Sequence, residues 1–236
     1  MRPRFSASLL LLLCSVLPAA AQLRPARIMI LIGPPGSGKS VQAKQLSKRY
    51  KIPTVSMAAL LRQEIGKKTP VARALASSLA SGELVNDDAA NELVKARLLR
   101  SDTGQGFILD GYPTTAGQAK ALDQFLSEHA FPKPMVVVID APDAVVRSRM
   151  SSRGRADDAP ENIERRIREY RDVGAFTEKW YGPENTVRVD GTGTIQSVAL
   201  AIERQMDAAR TSRGLLVRTP DESGLRQRPP VDAPKQ

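Results

Sequence analysis

Residues 27–40 read RIMILIGPPGSGKS, and this stretch decides the fold. The mostly apolar run Arg27–Ile32 leads directly into Gly33–Ser40, which matches the pattern G-x-x-x-x-G-K-[ST]. A short apolar run that ends in glycines predicts a buried β-strand, and residues 38–50 behind it predict a helix. A glycine-rich loop between a strand and a helix is the setting in which this pattern binds the phosphates of a nucleoside triphosphate.

The residue types of this loop suit phosphate binding. Glycines let successive backbone N–H groups turn toward an anion, and the helix N-terminus adds partial positive charge. We expect Lys39 to reach the β- and γ-phosphates of ATP and the Ser40 hydroxyl to face Mg²⁺. With glycine at about 7% of residues, a chance match in a chain of this length occurs roughly once in a hundred sequences.

The middle of the chain alternates predicted strands and helices. Apolar runs at Gly106–Asp110, Met135–Asp140 and Thr186–Asp190 predict three more strands. The alternation predicts an α/β fold, with three αβα layers and a parallel sheet of about five strands. Helical periodicity occupies about residues 70–81, 87–100, 116–129, 142–151, 160–181 and 194–209.

Composition narrows the class of protein. The 236 residues suffice for one large domain. Aromatic residues, at 4%, are too few for a base-stacking nucleic-acid surface, so no nucleic-acid partner is expected. The single cysteine, Cys14, excludes an intrachain disulfide, and the single histidine, His129, argues against a zinc site. The net charge of +10 suits a protein that handles phosphates, although an ordinary basic surface has the same charge.

The amino terminus is typical of a secretory signal peptide over residues 1–21. Arg2 and Arg4 precede the short apolar run Leu9–Leu17, and Ala19–Ala21 gives an A-x-A cleavage pattern. The apolar run is too short to span a bilayer comfortably, so no stable membrane insertion is expected after cleavage.

Two further expectations concern the ends of the chain. A used signal peptide implies a periplasmic or secreted protein, whereas translation from Met29 implies a cytoplasmic one. Residues 210–236 are rich in Pro, Arg, Ser and Asp, which predicts a basic, disordered tail.

Six blocks of sequence, read in order, resemble the adenylate kinase family of nucleoside monophosphate kinases. Six blocks in register over about residues 27–209 are far more specific than any one of them. The blocks are GPPGSGKSVQA (33–43), VSMAALLR (55–62), GELV (82–85), GFILDGYP (106–113), GRADD (154–158) and DGTG (190–193).

The resemblance implies a kinase domain over residues 22–209 with three parts. These are a core sheet, a helical monophosphate-binding segment at about 56–85 and a short lid at about 152–159. It implies a monomer that transfers a phosphoryl group from ATP to AMP, so that small-molecule nucleotides are its partners.

For the donor, the resemblance implies that ATP is held by the loop and by two later positions, of which Gly193 lies near the adenine. Asp110 is implied near Mg²⁺, generally through water, together with Ser40; helix capping is the alternative role for Asp110. The implied ATP-binding residues are Gly36, Ser37, Gly38, Lys39, Ser40, Val41, Arg149 and Gly193.

Phosphoryl transfer needs positive charge over the transferring group and exclusion of water rather than covalent chemistry. Lys39, Arg153, Arg155 and Arg166 match the family's catalytic positions. A solvated basic helix end is the alternative interpretation of any one of these arginines.

The resemblance also implies an acceptor site. Arg62 matches the arginine that grips the phosphate of the monophosphate, and Gln118 matches the glutamine that contacts its base. The implied acceptor-binding residues are Ser56, Met57, Arg62, Val85, Gly111, Gln118, Arg155 and Arg166.

The acceptor block departs from the family pattern. Thr114 follows Gly-Tyr-Pro where the family has an arginine for the acceptor phosphate, and a lost charge-assisted contact of about 1.5–3 kcal/mol predicts roughly 10–100-fold weaker use of the acceptor. Lys95, Arg97 and Lys120 are nearby candidates to replace it. Met57 stands where a Thr near the acceptor base is common.

The lid also differs, because only Gly154 separates two arginines of the lid block. A short lid excludes water less completely, which predicts some ATP hydrolysis without acceptor.

Three functions remain open on the sequence. The first is an ATP:nucleoside monophosphate phosphotransferase, with AMP as the expected acceptor. The second is a P-loop kinase of another small acceptor, reshaped at Thr114 and Met57. The third is an exported nucleotide-binding protein that kept its donor site and lost its acceptor site.

Overall fold

The computed structural model describes residues 27–67, 69, 85–154 and 159–212. The predicted signal peptide, the predicted helix at 70–81 and residues 213–236 of the predicted tail lie outside the described residues. The strands are β1 (Arg27–Ile32), β2 (Thr54–Ser56), β3 (Gly106–Asp110), β4 (Met135–Asp140) and β5 (Thr186–Asp190). The α-helices are α1 (Lys39–Tyr50), α2 (Met57–Gly66), α3 (Asp87–Leu98), α4 (Ala116–Glu128), α5 (Asp143–Arg153), α6 (Pro160–Tyr181) and α7 (Ile195–Ser212).

The strands form one parallel sheet in the order β2-β3-β1-β4-β5. β1 lies at the centre because its residues Ile28–Ile32 are buried on both faces. The chain leaves β1 toward one edge of the sheet and later returns toward the other, so the strand order reverses beside β1. Ligands of open α/β sheets bind at the carboxyl ends of the strands next to such a reversal.

Helices cover both faces of the sheet. On one face α3, α4 and the end of α6 pack on the strands through Val94, Leu122, Phe125 and Tyr181. On the other face α1 and α7 pack through Leu46, Ile202 and neighbouring apolar residues. The predicted three-layer αβα arrangement is confirmed.

A separate apolar cluster joins α5 to α6. Its residues are Ala141, Val146, Met150, Ile163 and Ile167. This cluster holds together the two helices that flank the predicted lid, and so it positions the arginines on them. Among the described residues, no helix combines the length and the apolar character needed to cross a bilayer.

Candidate active site

The glycine-rich loop Gly33–Ser40 connects the carboxyl end of β1 to α1. Gly36 and Gly38 adopt φ angles of +79° and +97°, which side-chain-bearing residues rarely adopt. A Cβ atom on Gly36 would lie 3.1 Å from Met150 Cγ, so α5 packs directly against the loop. The partial positive charge of the α1 N-terminus therefore lies at the loop, as the sequence predicts.

Lys39 folds back over this loop. Its Nζ donates hydrogen bonds to Gly33 O at 2.6 Å and to Pro34 O at 2.8 Å. Burial lowers the pKa of Lys39 to about 8; the Asp110 carboxylate opposes this shift, and Arg166 and Arg153 add to it. The site therefore disfavours the charged form of Lys39 unless a bound anion adds negative charge.

The two predicted Mg²⁺ residues contact each other. Ser40 Oγ donates a hydrogen bond of 2.8 Å to Asp110 Oδ2. The sheet register explains this, because Asp110 ends β3 opposite Leu31, near the end of β1. A hydroxyl beside a carboxylate that is only 8% exposed offers the oxygen ligands that Mg²⁺ prefers.

Two of the predicted catalytic arginines approach Lys39 from the lid side. Arg153 ends α5 and is exposed, and Arg166 lies on α6 and is half-buried. Both lie within electrostatic reach of the Lys39 ammonium, whose pKa they lower. Arg155, the third predicted arginine, lies outside the described residues.

Arg149 docks on the turn that follows β5. Its Nη1 donates to Gly191 O at 2.8 Å and its Nη2 donates to Thr192 O at 3.1 Å. Asp190 holds this turn by accepting hydrogen bonds from the backbone N–H and the hydroxyl of Thr192, which lower the pKa of the Asp190 carboxyl. Gly193 follows in the same turn and is exposed.

The loop and this turn are also tied together from α1. Gln42 Nε2 donates to Ile195 O at 3.0 Å. Val41, beside Gln42, and Ile195 both expose their apolar side chains. The predicted ATP-binding residues therefore lie on elements at the carboxyl ends of β1, β4 and β5.

The described part of the predicted acceptor site lies at the carboxyl end of β2 and β3. Ser56 ends β2 opposite Asp110, and Met57 begins α2 directly behind it. A Cβ atom on Gly111 would lie 3.7 Å from Met57 Cβ. Arg62 is exposed on α2, and within the described residues no hydrogen bond or ion pair engages its guanidinium. Val85 is the first residue described after the gap at 70–84.

Gln118 is engaged by the protein itself. Its Oε1 accepts hydrogen bonds from Thr114 N at 2.8 Å and Thr114 Oγ1 at 3.1 Å, and its Nε2 donates to Asp87 Oδ1 at 2.9 Å. The residue is only 4% exposed. Its predicted contact with the acceptor base therefore has to be made from inside a hydrogen-bonded network.

The structure places the three candidate replacements for an arginine at position 114. Arg97 binds Asp102 through two hydrogen bonds of 2.9 and 2.7 Å. Because α3 leads into β3, the last turn of α3, which carries Lys95 and Arg97, lies at the amino end of the strands and away from the loop. Lys120 is exposed near the start of α4, at the correct end of the sheet.

Sequence reasoning missed Asp87 and Thr115. Thr115 caps α4 by accepting a hydrogen bond from Gln118 N at 3.2 Å, and the spacing Thr115-x-x-Gln118 is a capping-box pattern that the sequence contains. Asp87 lies 28 and 31 residues from its partners Thr115 and Gln118. No local pattern signals such a contact.

Comparisons with known proteins agree with the family resemblance of the sequence. The sequence profile of the family described as Adenylate kinase matches residues 31–183. The chain belongs to the adenylate kinase family. It is 36% identical over 187 residues to the adenylate kinase of Rhizobium meliloti (strain 1021), a match that covers 75% of this chain and 97% of that relative.

Other relatives of this family are similar to the same extent. Identity is 37% over 183 residues with the adenylate kinase of Xanthomonas euvesicatoria pv. vesicatoria (strain 85-10), covering 75% and 98% of the two chains. It is 38% over 175 residues with that of Xanthomonas campestris pv. campestris (strain 8004), covering 72% and 94%. The predictions of an adenylate kinase relative, an α/β P-loop fold and a nucleoside monophosphate kinase are therefore confirmed.

Proposed function

We propose that the protein transfers the γ-phosphoryl group of ATP to AMP and so forms two molecules of ADP. One observation carries this: Lys39, the Ser40–Asp110 pair and the charges of Arg153 and Arg166 meet at the carboxyl ends of β1 and β3. The relatives named Adenylate kinase support AMP as the acceptor.

The residues of the loop fit ATP and Mg²⁺. The Ser37 hydroxyl is buried in the loop and has no hydrogen-bond partner among the described residues. Lys39 carries the charge for the phosphates, and Ser40 with Asp110 would hold the cation. When bound, ATP supplies the phosphoryl group and Mg²⁺ neutralises part of its charge.

The side chains of the chain would then position and stabilise the reacting groups. Lys39 exchanges its two carbonyl partners for phosphate oxygens, which raise its pKa and hold its proton. Arg153 and Arg166 supply positive charge from the lid side as α5 and α6 approach the loop, and the lid at about 152–159 excludes water. Each guanidinium can bind phosphate oxygens through two hydrogen bonds.

The acceptor would lie on the other side of Asp110. Arg62, exposed on α2, binds its phosphate, and Ser56, Met57, Val85 and Gly111 surround it. The monophosphate-binding segment at about 56–85 supplies this side of the site, and Gln118 reads the base. Arg155 and Arg166 add charge between donor and acceptor.

The structure bears on where the chain begins. Ile28 is 2% exposed in the central strand, and the Arg27 guanidinium lies 4.2 Å from the centre of the Tyr50 ring. A protein that began at Met29 would lack both residues, which supports a start upstream of Met29. The apolar run and the A-x-A pattern within residues 1–21 are the support for a signal peptide. We infer a monomeric enzyme that is periplasmic or secreted, and fractionation of cells that express the full chain tests this location.

The activity test supplies the purified full chain with ATP and Mg²⁺, and with AMP, CMP, UMP, GMP or dAMP. We expect ADP formation with AMP that disappears in Lys39→Ala. Turnover with only a different monophosphate would assign the function to that acceptor. This is the alternative that the threonine at position 114 leaves open. ATP binding without turnover of any acceptor would contradict the kinase.

A further inference from the structure

A network of hydrogen bonds joins the start of α3 to the start of α4. The Asp87 carboxylate accepts one hydrogen bond from Thr115 Oγ1, of 2.7 Å at Oδ2, and one from Gln118 Nε2, of 2.9 Å at Oδ1. Gln118 Oε1 in turn accepts from the backbone N–H and the hydroxyl of Thr114. The network is nearly closed to solvent at Gln118.

The backbone of α4 is shaped for this carboxylate. A Cβ atom on Gly117 would lie 2.5 Å from Asp87 Oδ2, closer than real Cβ atoms approach an oxygen. The carboxylate therefore lies directly against the helix backbone, in space that only glycine leaves open. The contact between α3 and α4 rests on this close approach as well as on the hydrogen bonds.

Both ends of the network fix the orientation of the Gln118 amide. The Thr114 backbone N–H can only donate, so it requires the amide oxygen. The Asp87 carboxylate can only accept, so it requires the amide NH₂. A flipped amide would set two donors against each other at one end and two acceptors at the other.

This orientation limits what Gln118 can offer to a base. An amide oxygen has two lone pairs, and the Thr114 N–H and hydroxyl occupy both. The amide nitrogen has two hydrogens, and Asp87 accepts one of them. Gln118 therefore has one N–H left to offer to a base. This N–H can donate to a ring nitrogen, but it cannot accept a hydrogen bond from an exocyclic amine.

We infer that Asp87 is a positioning residue for the acceptor base. Together with the Thr114 hydroxyl, it presents Gln118 as a hydrogen-bond donor, so that the enzyme recognises an acceptor nitrogen of the purine ring rather than its 6-amino group. This inference rests on the proposed function and assigns the base contact within it.

The first experiment compares Asp87→Asn with Asp88→Asn in the full-length enzyme. Both substitutions remove one negative charge from the first turn of α3, but only Asp87 contacts Gln118. An asparagine at 87 carries an oxygen at only one of the two positions that accept from Thr115 and Gln118, so we expect KM for AMP to rise about tenfold. We expect kcat and KM for ATP to stay within about twofold, and Asp88→Asn to match the wild type.

Gly117→Ala provides a second variant that keeps the charge. The new methyl group displaces the Asp87 carboxylate, although alanine favours helix formation. We expect the same selective rise in KM for AMP. Gly104→Ala is the control, because a Cβ atom there would make only an ordinary contact at 3.8 Å. Equal kinetics for Asp87→Asn and Asp88→Asn, or parallel changes in kcat and both KM values, would overturn the inference.

The second experiment tests the direction of the base contact. AMP is compared with purine riboside 5′-monophosphate, which lacks only the 6-amino group. We expect the wild type to use both with kcat/KM values within about threefold. Thr114→Val frees one lone pair of Gln118 Oε1, so AMP should become preferred by a further factor of about five.

The two proposals fail in different ways. A loss of more than 30-fold with the analogue in the wild type would refute the donor-only contact while leaving the kinase intact. A wild type that phosphorylates neither nucleotide would refute the proposed function, and the inference with it.

Discussion

Backbone holds the donor side of the site, Gly33–Ser40 with Asp110, whereas side chains hold the acceptor side, from Ser56 to Gln118. The loop conformation follows from a central strand, three glycines with positive φ and the packing of α5. Across the site, the start of α4 is connected to α3 through side-chain hydrogen bonds of Asp87, Thr115 and Gln118.

The difference shows where single substitutions act. On the donor side the charge is concentrated: Lys39 lies within electrostatic reach of two arginines, Arg153 and Arg166, and of one carboxylate, Asp110. On the acceptor side Arg62 is exposed and position 114 carries a threonine instead of the family's arginine. A site formed by the backbone depends on few side chains for its charge. In a network of side chains, a single substitution can change the hydrogen-bond partners and so the selectivity for the acceptor.

Lys39→Ala gives the largest expected effect. The positive charge of the ammonium stabilises the transferring phosphoryl group most strongly in the transition state. Its removal should therefore lower kcat/KM by roughly 10³-fold or more. Steady-state ADP formation measures this. Lys44→Ala, an exposed lysine of the same helix, is the control and should retain wild-type rates. A loss of less than tenfold for Lys39→Ala would remove the main support for the donor side.

Asp110→Asn should act through the cation. The amide keeps the size of the side chain and a hydrogen bond to Ser40 but loses the charge, so the enzyme should need more Mg²⁺ and lose about 10–100-fold in rate at low Mg²⁺. A Mg²⁺ titration of kcat measures this. Asp140→Asn removes a carboxylate from the end of β4, where it binds Arg188, and should leave the titration unchanged.

Thr114→Arg tests whether the acceptor side lacks charge. A guanidinium at this position adds a contact to the acceptor phosphate of about 1.5–3 kcal/mol, so kcat/KM for AMP should rise roughly 10–100-fold. Thr114→Met separates charge from length, and its only expected gain is the factor of about five that follows from loss of the Thr114 hydroxyl. No increase in Thr114→Arg would mean that the acceptor phosphate is already neutralised elsewhere, and Lys120 is then the residue to substitute next.

Local patterns predicted the loop Gly33–Ser40 because its parts are adjacent in sequence, whereas the other donor-side residues, Asp110, Arg149 and Gly193, were found through the family resemblance. The strands at 27–32, 106–110, 135–140 and 186–190 have the predicted bounds, since each is an apolar run bounded by turn residues. β2 was missed because three residues, Thr54–Ser56, carry too little periodicity. α7 ends at Ser212, three residues beyond the predicted 209, where periodicity fades before the helix does.

The acceptor side could be predicted only in part. Its residues were found through the family resemblance, but the hydrogen-bond partners of Gln118 depend on how α3 packs on α4. The suggestion that Lys95 or Arg97 replaces the missing arginine is not supported, because the direction of α3 places both at the opposite end of the sheet. The sequence shows that these two charges are close to position 114 in residue number, and only the fold shows that they are distant from it in space.

The pKa of Lys39 predicts a smaller effect that separates the two sides. In the free enzyme this pKa lies near 8, below its ordinary value of 10.5, so the charged form opposes folding below pH 8. Its contribution to the free energy of unfolding should therefore rise as the pH increases from about 8 to 10.5.

ATP binds the protonated lysine, so the apparent Kd for ATP should be flat between pH 7 and 7.5 and rise about tenfold by pH 9, since each pH unit above the pKa removes one more factor of ten of the charged form. AMP binding, which does not use Lys39, should not show this rise. Lys39→Arg keeps its charge throughout this range, so it should bind ATP with a flat profile whatever its activity. Calorimetric titration of both nucleotides measures these affinities, and an equal pH dependence for ATP and AMP would place the titrating group outside the donor side.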